Sequence, residues 1–433
     1  MGRAIALRLA LAALLACAPF GRVLAQALRD HDPLELDLSG VVNAVERNQL
    51  DLALRRVDAL LAAHPTFRLG YLIRGDLLLA RTRPLRTFGN AAATMVVPND
   101  KLEGLRAEAL ARLRALRDRP SSTRMPQYVL QLSPEEKYAL IVDSELSRLY
   151  VFQNVDGLPR YVADYYVTLG KRGVDKMREG DEKTPIGVYH VTAHLPRQKL
   201  TDFYGVGAFP LNYPNSWDRS QGRSGHGIWL HGTPSDTYSR PPRASNGCIV
   251  LANPDLESLA RFVRIDQTPV IIADQIDWTS AASLEAERRS LAAAVEAWRR
   301  DWQSRDAARY LSHYSRRFHS DGEDYAQWAA HKRQVNSAKA WIKVDLSDVS
   351  MLRYPRERFV VVSFTQDYRS NNLSNVMSKK QYWAKEGGAW KIIYEGPADA
   401  SPGPFKERYE TVRSVQAAGD AVRRGRRVHG LGG

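Results

Sequence analysis

The stretch Ser245-Asn246-Gly247-Cys248-Ile249-Val250-Leu251-Ala252-Asn253-Pro254-Asp255 sets a cysteine between a glycine and a short apolar run. The 433-residue sequence has one other cysteine, Cys17, close to the N-terminus. If the N-terminal residues are removed on export, Cys248 has no partner for an internal disulfide. It is then either an incidental thiol or a nucleophile, and a nucleophilic thiol needs a base that removes its proton.

The N-terminus has the pattern of a secretory signal peptide. Residues 1–8 carry two arginines and no acid, residues 9–18 are apolar, and Val23-Leu24-Ala25 offers small residues at the cleavage positions. The apolar run is shorter than the roughly 20 residues that cross a bilayer. The sequence therefore predicts a signal peptide at residues 1–25 and an exported protein, with lipidation of Cys17 as the alternative.

The chain is strongly basic. Its formal net charge is +14, and loss of residues 1–25, with three arginines and no acid, would lower this charge to +11. Such a balance predicts attraction to anionic polymers or membrane surfaces. In an exported protein, wall polymers and anionic lipid headgroups are the expected partners, and nucleic acid is not. Residues 401–433, with the run Arg423-Arg424-Gly425-Arg426-Arg427, are interpreted as a basic flexible tail that is either solvated or in contact with such a polymer.

The composition changes twice along the chain, which predicts a multidomain protein. Residues 26–120 are rich in Leu, Ala and Arg at helical spacing and are interpreted as a helical cap with one tetratricopeptide-type helical pair. Residues 127–274 contain β-branched and aromatic runs separated by turns, which predicts a mainly β domain whose loops carry the chemistry. Residues 281–397 begin with a long helix and end in strands, the order of an α+β domain.

His231 is the best candidate for the base. It ends the apolar strand Gly227-Ile228-Trp229-Leu230, and Gly232 then terminates the strand and leaves the imidazole exposed. The loop that follows is rich in proline and serine and can return the chain so that Cys248 meets the histidine. His226, at the start of the strand, is a second candidate, for which an edge position is the simpler interpretation.

Gly247 and the glycine-bounded segment at residues 180–187 are interpreted differently. Gly247 lets the backbone approach a substrate closely, so the N–H groups of Gly247 and Cys248 are candidate donors to the oxyanion formed on attack. Residues 180–187 are bounded by glycines, but we interpret them as a turn that leads into a strand, because no helix follows as a phosphate loop requires.

Three segments, taken in order, resemble the signature of the L,D-transpeptidase (YkuD-type) catalytic domain. They are Gly180-Asp181-Glu182-Lys183-Thr184-Pro185-Ile186-Gly187-Val188-Tyr189, Ile228-Trp229-Leu230-His231-Gly232-Thr233 and the stretch at residues 245–255. The resemblance covers residues 127–274 and implies a cysteine acyl-transferase of the bacterial periplasm. It also implies that no metal and no cofactor is needed.

In that family the cysteine attacks the carbonyl of the meso-diaminopimelate residue in a peptidoglycan tetrapeptide stem and expels the terminal D-alanine. The thioester then passes to an amine, which gives a cross-link or an attached protein, or to water, which trims the stem. For this sequence the resemblance implies Cys248 as nucleophile, His231 as general base and Ser245 as a loop-shaping hydroxyl. It also implies Gly247 and Cys248 as oxyanion donors, with the carbonyl of Gly232 orienting the imidazole.

The sequence departs from the family pattern at two positions. Asn246 stands where the family commonly has His, and Val250 stands where it often has Arg. The second change leaves the anchor of the substrate carboxylate open. Arg243 and Arg240, on the loop before Cys248, are candidate substrate-binding residues together with Asn246, and solvent-facing loop arginines are the alternative.

The C-terminal region carries a second resemblance. The order of helices and strands after residue 281, with Trp383 and the closing Trp390-Lys391-Ile392-Ile393, is similar to the NTF2-like (SnoaL-like) fold. The full domain order resembles the cell-shape-determining L,D-carboxypeptidases of helical bacteria, which trim tetrapeptides to tripeptides. We therefore expect an L,D-transpeptidase acting on peptidoglycan stem peptides, with an L,D-carboxypeptidase as the first alternative. A non-catalytic wall-binding scaffold is the second alternative, and it does not require the intact Cys248 and His231 pair.

Overall fold

The computed structural model describes residues 33–85, 87–90, 99–118, 123–320 and 322–398. The signal peptide expected at residues 1–25, Cys17 and the basic tail expected at residues 401–433 lie outside these ranges. No helix within the described ranges is both long and apolar enough to cross a membrane.

Four helices precede the first strand in the described part of the chain. They are α1 (Pro33–Glu46), α2 (Leu50–Ala63), α3 (Arg68–Ala80) and α4 (Asn99–Arg117). Each helix packs on the next one along the chain. The helical pair that the sequence predicts corresponds to α2 and α3, where Gly70 permits close contact because a Cβ there would come within 2.8 Å of Leu61.

A buried chain of charged side chains joins these helices to the central domain. Glu35 of α1 pairs with Arg112 of α4 and, at 2.9 Å, with Arg148 of the central domain. Arg112 also pairs with Glu108 at 3.0 Å, and Arg148 also pairs with Asp164. All five side chains are at most 5% exposed. Burial acts to raise the pKa of the Glu35 carboxyl. The two arginines together have the larger effect and hold this pKa below its ordinary value.

The central domain consists mainly of two packed sheets. Its elements are β1 (Arg124–Pro126), β2 (Val129–Gln131), β3 (Tyr138–Asp143), β4 (Arg148–Val155), β5 (Leu158–Tyr166), β6 (Leu169–Gly170), β7 (Gly187–His190), β8 (Leu195–Pro196), β9 (Gly207–Pro210), α5 (Ser216–Ser220), β10 (Trp229–His231), β11 (Arg243–Ser245), β12 (Ile249–Val250), α6 (Asn253–Ala260), β13 (Pro269–Ala273) and β14 (Trp278–Ser280). The larger sheet has the order β5-β4-β3-β13-β7, and the smaller sheet has the order β12-β10-β9-β8. The hairpin predicted at residues 144–147 joins β3 to β4. Leu140 and Leu149 of the larger sheet share one core with Leu230 and Ile249 of the smaller sheet.

The C-terminal domain packs helices against a mixed sheet, in which one strand pair is parallel and the other pairs are antiparallel. Its elements are α7 (Ala281–Ser304), α8 (Ala307–Ser312), β15 (Tyr314–Ser320), β16 (Glu323–Asp324), α9 (Tyr325–Ser337), β17 (Ile342–Arg353), β18 (Phe359–Ser370), β19 (Ser374–Glu386) and β20 (Ala389–Pro397). Trp298 and Trp302 of α7 lie in its core with Trp383 of the sheet. The strand order is β16-β15-β20-β19-β18-β17-β2, so β2, which the sequence analysis assigns to the central domain, extends this sheet. The predicted fold class, with helical, mainly β and α+β regions in that order, is confirmed.

Glu35→Gln removes the negative charge that Arg112 and Arg148 share. We expect the free energy of unfolding to fall by about 3–5 kcal/mol, because two buried arginines lose the carboxylate between them. Urea denaturation followed by circular dichroism measures the change. The control is Asp58→Asn, which breaks an exposed pair with Arg74 and should cost at most about 1 kcal/mol. Equally small losses in both variants would contradict a stabilising role for the buried network.

Candidate active site

Two strands of the smaller sheet place Cys248 and His231 on the same face of that sheet. β10 runs parallel to β12, with Leu230 opposite Ile249. Continued by one residue, this register sets Cys248 opposite Trp229. Because side chains alternate along a strand, Trp229 and His231 project from the same face of the sheet, and Cys248 projects with them.

The imidazole of His231 is oriented, and it is buried, whereas the sequence analysis expects it to be exposed. Its Nδ1 lies 2.7 Å from the carbonyl oxygen of Gly232, which can only accept, so Nδ1 carries the hydrogen and Nε2 keeps a free lone pair. The rings of Phe203 and Tyr204 enclose it, with centroids at 5.9 and 5.1 Å. The pKa of His231 is lowered to about 4, mainly by burial and to a smaller extent by the charge of Arg240, while the hydrogen bond to Gly232 acts to raise it.

The surroundings of the Cys248 thiol favour its neutral form. Its Sγ donates to the carbonyl oxygen of Gly227 at 3.3 Å. Burial raises the pKa of the thiol to about 11, although the N–H of Trp229 and the charges of Lys176 and Arg240 act to lower it.

These two pKa values describe a neutral pair at rest. Neutral pH is well above the pKa of His231, so the imidazole is uncharged. It is well below the pKa of Cys248, so the thiol keeps its hydrogen. His231 is therefore in the form that accepts a proton.

Ser245 shapes the turn that presents Cys248. Its Oγ donates to the carbonyl oxygen of Cys248 at 2.6 Å and accepts the N–H of Gly247 at 3.1 Å. Gly247 has a φ of 122°, and a Cβ there would lie 2.7 Å from the carbonyl oxygen of Lys183, so this position requires glycine. The sequence analysis expects both Gly247 and Cys248 as oxyanion donors. In the structure the Gly247 N–H is already engaged, whereas the Cys248 N–H has no acceptor among the described residues.

Two residues that the sequence analysis does not single out hold the loops of the site. The Oγ1 of Thr184 accepts the N–H of Gly170 and donates to the carbonyl oxygen of Gly247, both at 2.9 Å. Asn253 binds the loop after β10, because its Oδ1 accepts the N–H of Thr233 at 3.2 Å and its Nδ2 donates to the same residue's carbonyl oxygen at 2.9 Å. Both residues lie inside the family segments quoted above, which was the available signal.

Arg240 is the predicted substrate-binding residue that acts on both reactive groups. Its guanidinium lies over the ring of Phe203, 4.9 Å from the centroid. Its charge lowers the pKa of both Cys248 and His231. Within the described ranges it forms no salt bridge, and Asp236 acts on it only through longer-range attraction.

The other predicted site residues lie elsewhere. Arg243 donates to the carbonyl oxygen of Ser144 at 2.7 Å, so its guanidinium is engaged at the turn between β3 and β4. His226 is exposed and lies 3.6 Å from Glu179. Asn246 is exposed, two residues before Cys248. Among the described residues, no group of three or more His, Cys, Asp or Glu side chains is arranged to hold a metal ion.

The fold and the site together define an enzyme of the L,D-transpeptidase type with an accessory α+β domain. The family model of the L,D-transpeptidase catalytic domain (YkuD) matches residues 137–272. The family model of the Cds6 C-terminal NTF2-like domain matches residues 290–396. Comparison with curated proteins gives no match.

Two solved structures are similar over most of their length. Bd1075 from Bdellovibrio bacteriovorus is 31% identical, with 64% of this chain and 99% of that chain covered and a TM-score of 0.56. Pgp2 from Campylobacter jejuni, described as a helical cell shape determining protein, is 26% identical, with 66% and 99% covered and a TM-score of 0.54. The chain therefore belongs to the L,D-transpeptidase (YkuD) family and carries a Cds6-type NTF2-like domain. Both predicted resemblances are confirmed.

Thr184→Val removes two buried hydrogen bonds and keeps the shape of the side chain. We expect the free energy of unfolding to fall by about 1–3 kcal/mol, because the N–H of Gly170 and the carbonyl of Gly247 lose their partner. Urea denaturation measures the loss, and Thr184→Ser, which keeps the hydroxyl, is the control. If the valine variant were as stable as the serine variant, these hydrogen bonds would not hold the loop.

The pH dependence of Cys248 alkylation tests the neutral pair. Because burial raises the thiol pKa to about 11, the rate with iodoacetamide should still rise with pH beyond about 9. Mass spectrometry of a Cys17→Ser chain follows this single thiol. A rate that levels off by neutral pH would show a resting thiolate and contradict the neutral pair. His231→Ala, which lacks the base, should react more slowly at neutral pH and keep the rise at high pH.

Proposed function

We propose that this protein modifies peptidoglycan in the periplasm by acyl transfer through Cys248. One observation carries the proposal: the Nδ1 of His231 is bound to the carbonyl oxygen of Gly232, which leaves Nε2 free on the sheet face that also presents Cys248. A scaffold that only binds the wall has no need for an oriented base beside a thiol. Membership of the L,D-transpeptidase family supports the same reaction type.

The proposed substrate is a tetrapeptide stem that ends in D-alanine. The Sγ of Cys248 attacks the carbonyl carbon of the meso-diaminopimelate residue while Nε2 of His231 takes the thiol proton. The carbonyl oxygen becomes negative and accepts the N–H of Cys248. The intermediate then breaks its C–N bond, the imidazolium returns the proton to the departing amine of D-alanine, and a thioester remains.

An acceptor completes the reaction. It attacks the thioester carbon as His231 removes its proton, and the proton then returns to the departing sulfur of Cys248. An amine acceptor on a second stem gives a cross-link, which is transpeptidation and our first candidate. Hydrolysis is the second candidate, because the charged groups that act on the thiol, Lys176 and Arg240, are both cations. They disfavour approach of a protonated amine and leave neutral water unaffected.

Arg240 is our candidate for binding a free carboxylate of the stem. It has the charge, it acts on both Cys248 and His231, and no described carboxylate is paired with it. Arg243 is less suited to this role, because its guanidinium already donates to the carbonyl of Ser144. Asn246, which is exposed next to the Gly247 turn, is left as a polar group at the rim.

We also propose that this protein has a role in cell shape. Pgp2 is described as determining helical cell shape, and the similarity to this chain covers 99% of the Pgp2 chain. Editing of stem peptides changes how many cross-links the wall can form, which gives such a role a chemical basis. The net charge of +14 is consistent with attraction to an anionic wall polymer.

Purified diaminopimelate tetrapeptide muropeptides, incubated with the protein and analysed by mass spectrometry, test the proposal. Dimers joined through diaminopimelate would establish transpeptidation, and tripeptide monomers alone would establish hydrolysis. Cys248→Ala should abolish either product, and His231→Ala should slow it by about 10²–10⁴-fold because the general base is lost. Unchanged muropeptides, or full activity in Cys248→Ala, would overturn the proposed chemistry.

A further inference from the structure

The loop that joins His231 to Cys248, residues 232–242, is held by side chains from outside the central domain. Tyr238 is buried and packs edge-on against His64 and Phe67, with ring centroids at 4.9 and 5.6 Å. Both partners belong to the connection between α2 and α3. A residue of the loop between His231 and Cys248 thus forms part of the hydrophobic core of the N-terminal helices.

Helix α4 holds the residues on either side of Arg240. The Oγ of Ser239 donates to Oε1 of Glu108 at 2.7 Å. Glu108 is 1% exposed and is the last member of the buried charge chain. One turn earlier, Gly104 faces Pro241, and a Cβ at Gly104 would come within 2.8 Å of the proline ring. The loop and the helix are therefore in direct contact.

The backbone of Arg240 is fixed between these contacts. Its carbonyl oxygen accepts the hydroxyl hydrogens of Tyr166 at 2.9 Å and Thr168 at 3.0 Å. The ring of Tyr166 lies in turn under the guanidinium of Arg112 from α4, 4.0 Å from the centroid. Each of the four residues 238–241 thus contacts the helices or a group that the helices contact.

We propose that the N-terminal helices are a positioning element of the active site, in which Glu108 and the pocket of His64 and Phe67 hold residues 238–241 so that the Arg240 guanidinium faces the Cys248 thiol. Glu108 contacts neither the thiol nor the base, so it acts through Ser239. A free loop would lose backbone entropy each time Arg240 bound a carboxylate, and a loop that is already held in place loses less. The inference rests on the proposed function only for the role of Arg240 in binding a substrate carboxylate.

Competition between two alkylating reagents tests this inference without a peptidoglycan substrate. Iodoacetate and iodoacetamide are close in size, but only iodoacetate carries a carboxylate, so the ratio of their rates at Cys248 reports the cation that faces the thiol. Arg240→Gln should lower this ratio about fivefold, the effect of one unit charge about 4 Å away in water. Glu108→Gln and Ser239→Ala should lower the ratio by a large part of that factor, and Ser239→Thr, which keeps the hydroxyl, should restore it.

Asp76→Asn is the matched control for stability. Asp76 is also a buried acid of the helical region, and its carboxylate accepts the N–H of Gly89. It should lower the free energy of unfolding and leave the reagent ratio unchanged. If Glu108→Gln and Ser239→Ala kept the wild-type ratio, the helices would not position Arg240. If Arg240→Gln kept that ratio, Arg240 would not face the thiol, and either result overturns the inference.

Hydrogen exchange supplies a second readout that does not depend on thiol reactivity. Backbone amides of residues 233 and 235–240 should exchange faster in Glu108→Gln and at the wild-type rate in Asp76→Asn. Unchanged exchange in Glu108→Gln would also overturn the inference. Failure of the proposed function would appear separately, as unchanged muropeptides in an enzyme whose alkylation ratios follow the expected pattern.

Discussion

The buried chain of alternating charges Asp164, Arg148, Glu35, Arg112 and Glu108 is the constraint on which the arrangement of the first two regions depends. Each of these ions loses its hydration, which costs several kcal/mol, and the opposite charges beside it offset that loss. These ion pairs therefore all form only when the helices and the central domain are docked in one orientation. Apolar contacts alone are not directional and would allow neighbouring orientations. Because the chain ends at the loop before Cys248, the same docking also sets the geometry of the candidate active site.

Enclosure of the reactive pair has a related consequence. Burial disfavours the charged forms of both Cys248 and His231, so the resting pair is neutral although two cations lie close by. The charges of Lys176 and Arg240 gain most when negative charge appears on sulfur or on the substrate. Interactions that strengthen as the reaction proceeds lower its barrier, whereas interactions already present at rest do not. In the proposed reaction, these cations stabilise the negative charge that develops during attack.

Local patterns in the sequence are sufficient for much of this architecture. The spacing of apolar residues predicts the helices, the turn at residues 144–147 predicts the hairpin, and the segments around His231 and Cys248 predict the reactive pair. Contacts between distant segments are not predicted. The three residues of β2 pair with β17 more than 200 positions away, and nothing in so short a strand specifies its partner. The hydroxyl of Thr184 forms hydrogen bonds with the backbone of Gly170 and Gly247, which are distant in sequence. Its residue type alone therefore does not indicate that it holds the site.

The choice between Arg240 and Arg243 shows the same limit. Both residues lie on one loop and have the same chemistry, so sequence spacing cannot separate them. Tertiary contacts do, because the carbonyl of Ser144 engages Arg243 while Arg240 lies over Phe203 beside the reactive pair. The engaged N–H of Gly247 is a further case, since the turn geometry that directs it to Ser245 is not encoded by residue types alone.

The C-terminal domain contacts the segment that carries Lys176. Arg356, in the turn between β17 and β18, pairs with Asp175 at 2.9 Å. The next residue is Lys176, whose ammonium group pairs with Asp181 at 2.8 Å and whose charge lowers the pKa of the thiol. The two cations that act on Cys248 therefore lie on segments that different accessory regions contact, Lys176 on the C-terminal side and Arg240 on the helical side. The electrostatic field at the thiol is consequently a property of all three regions, although the central domain alone contains the reactive pair.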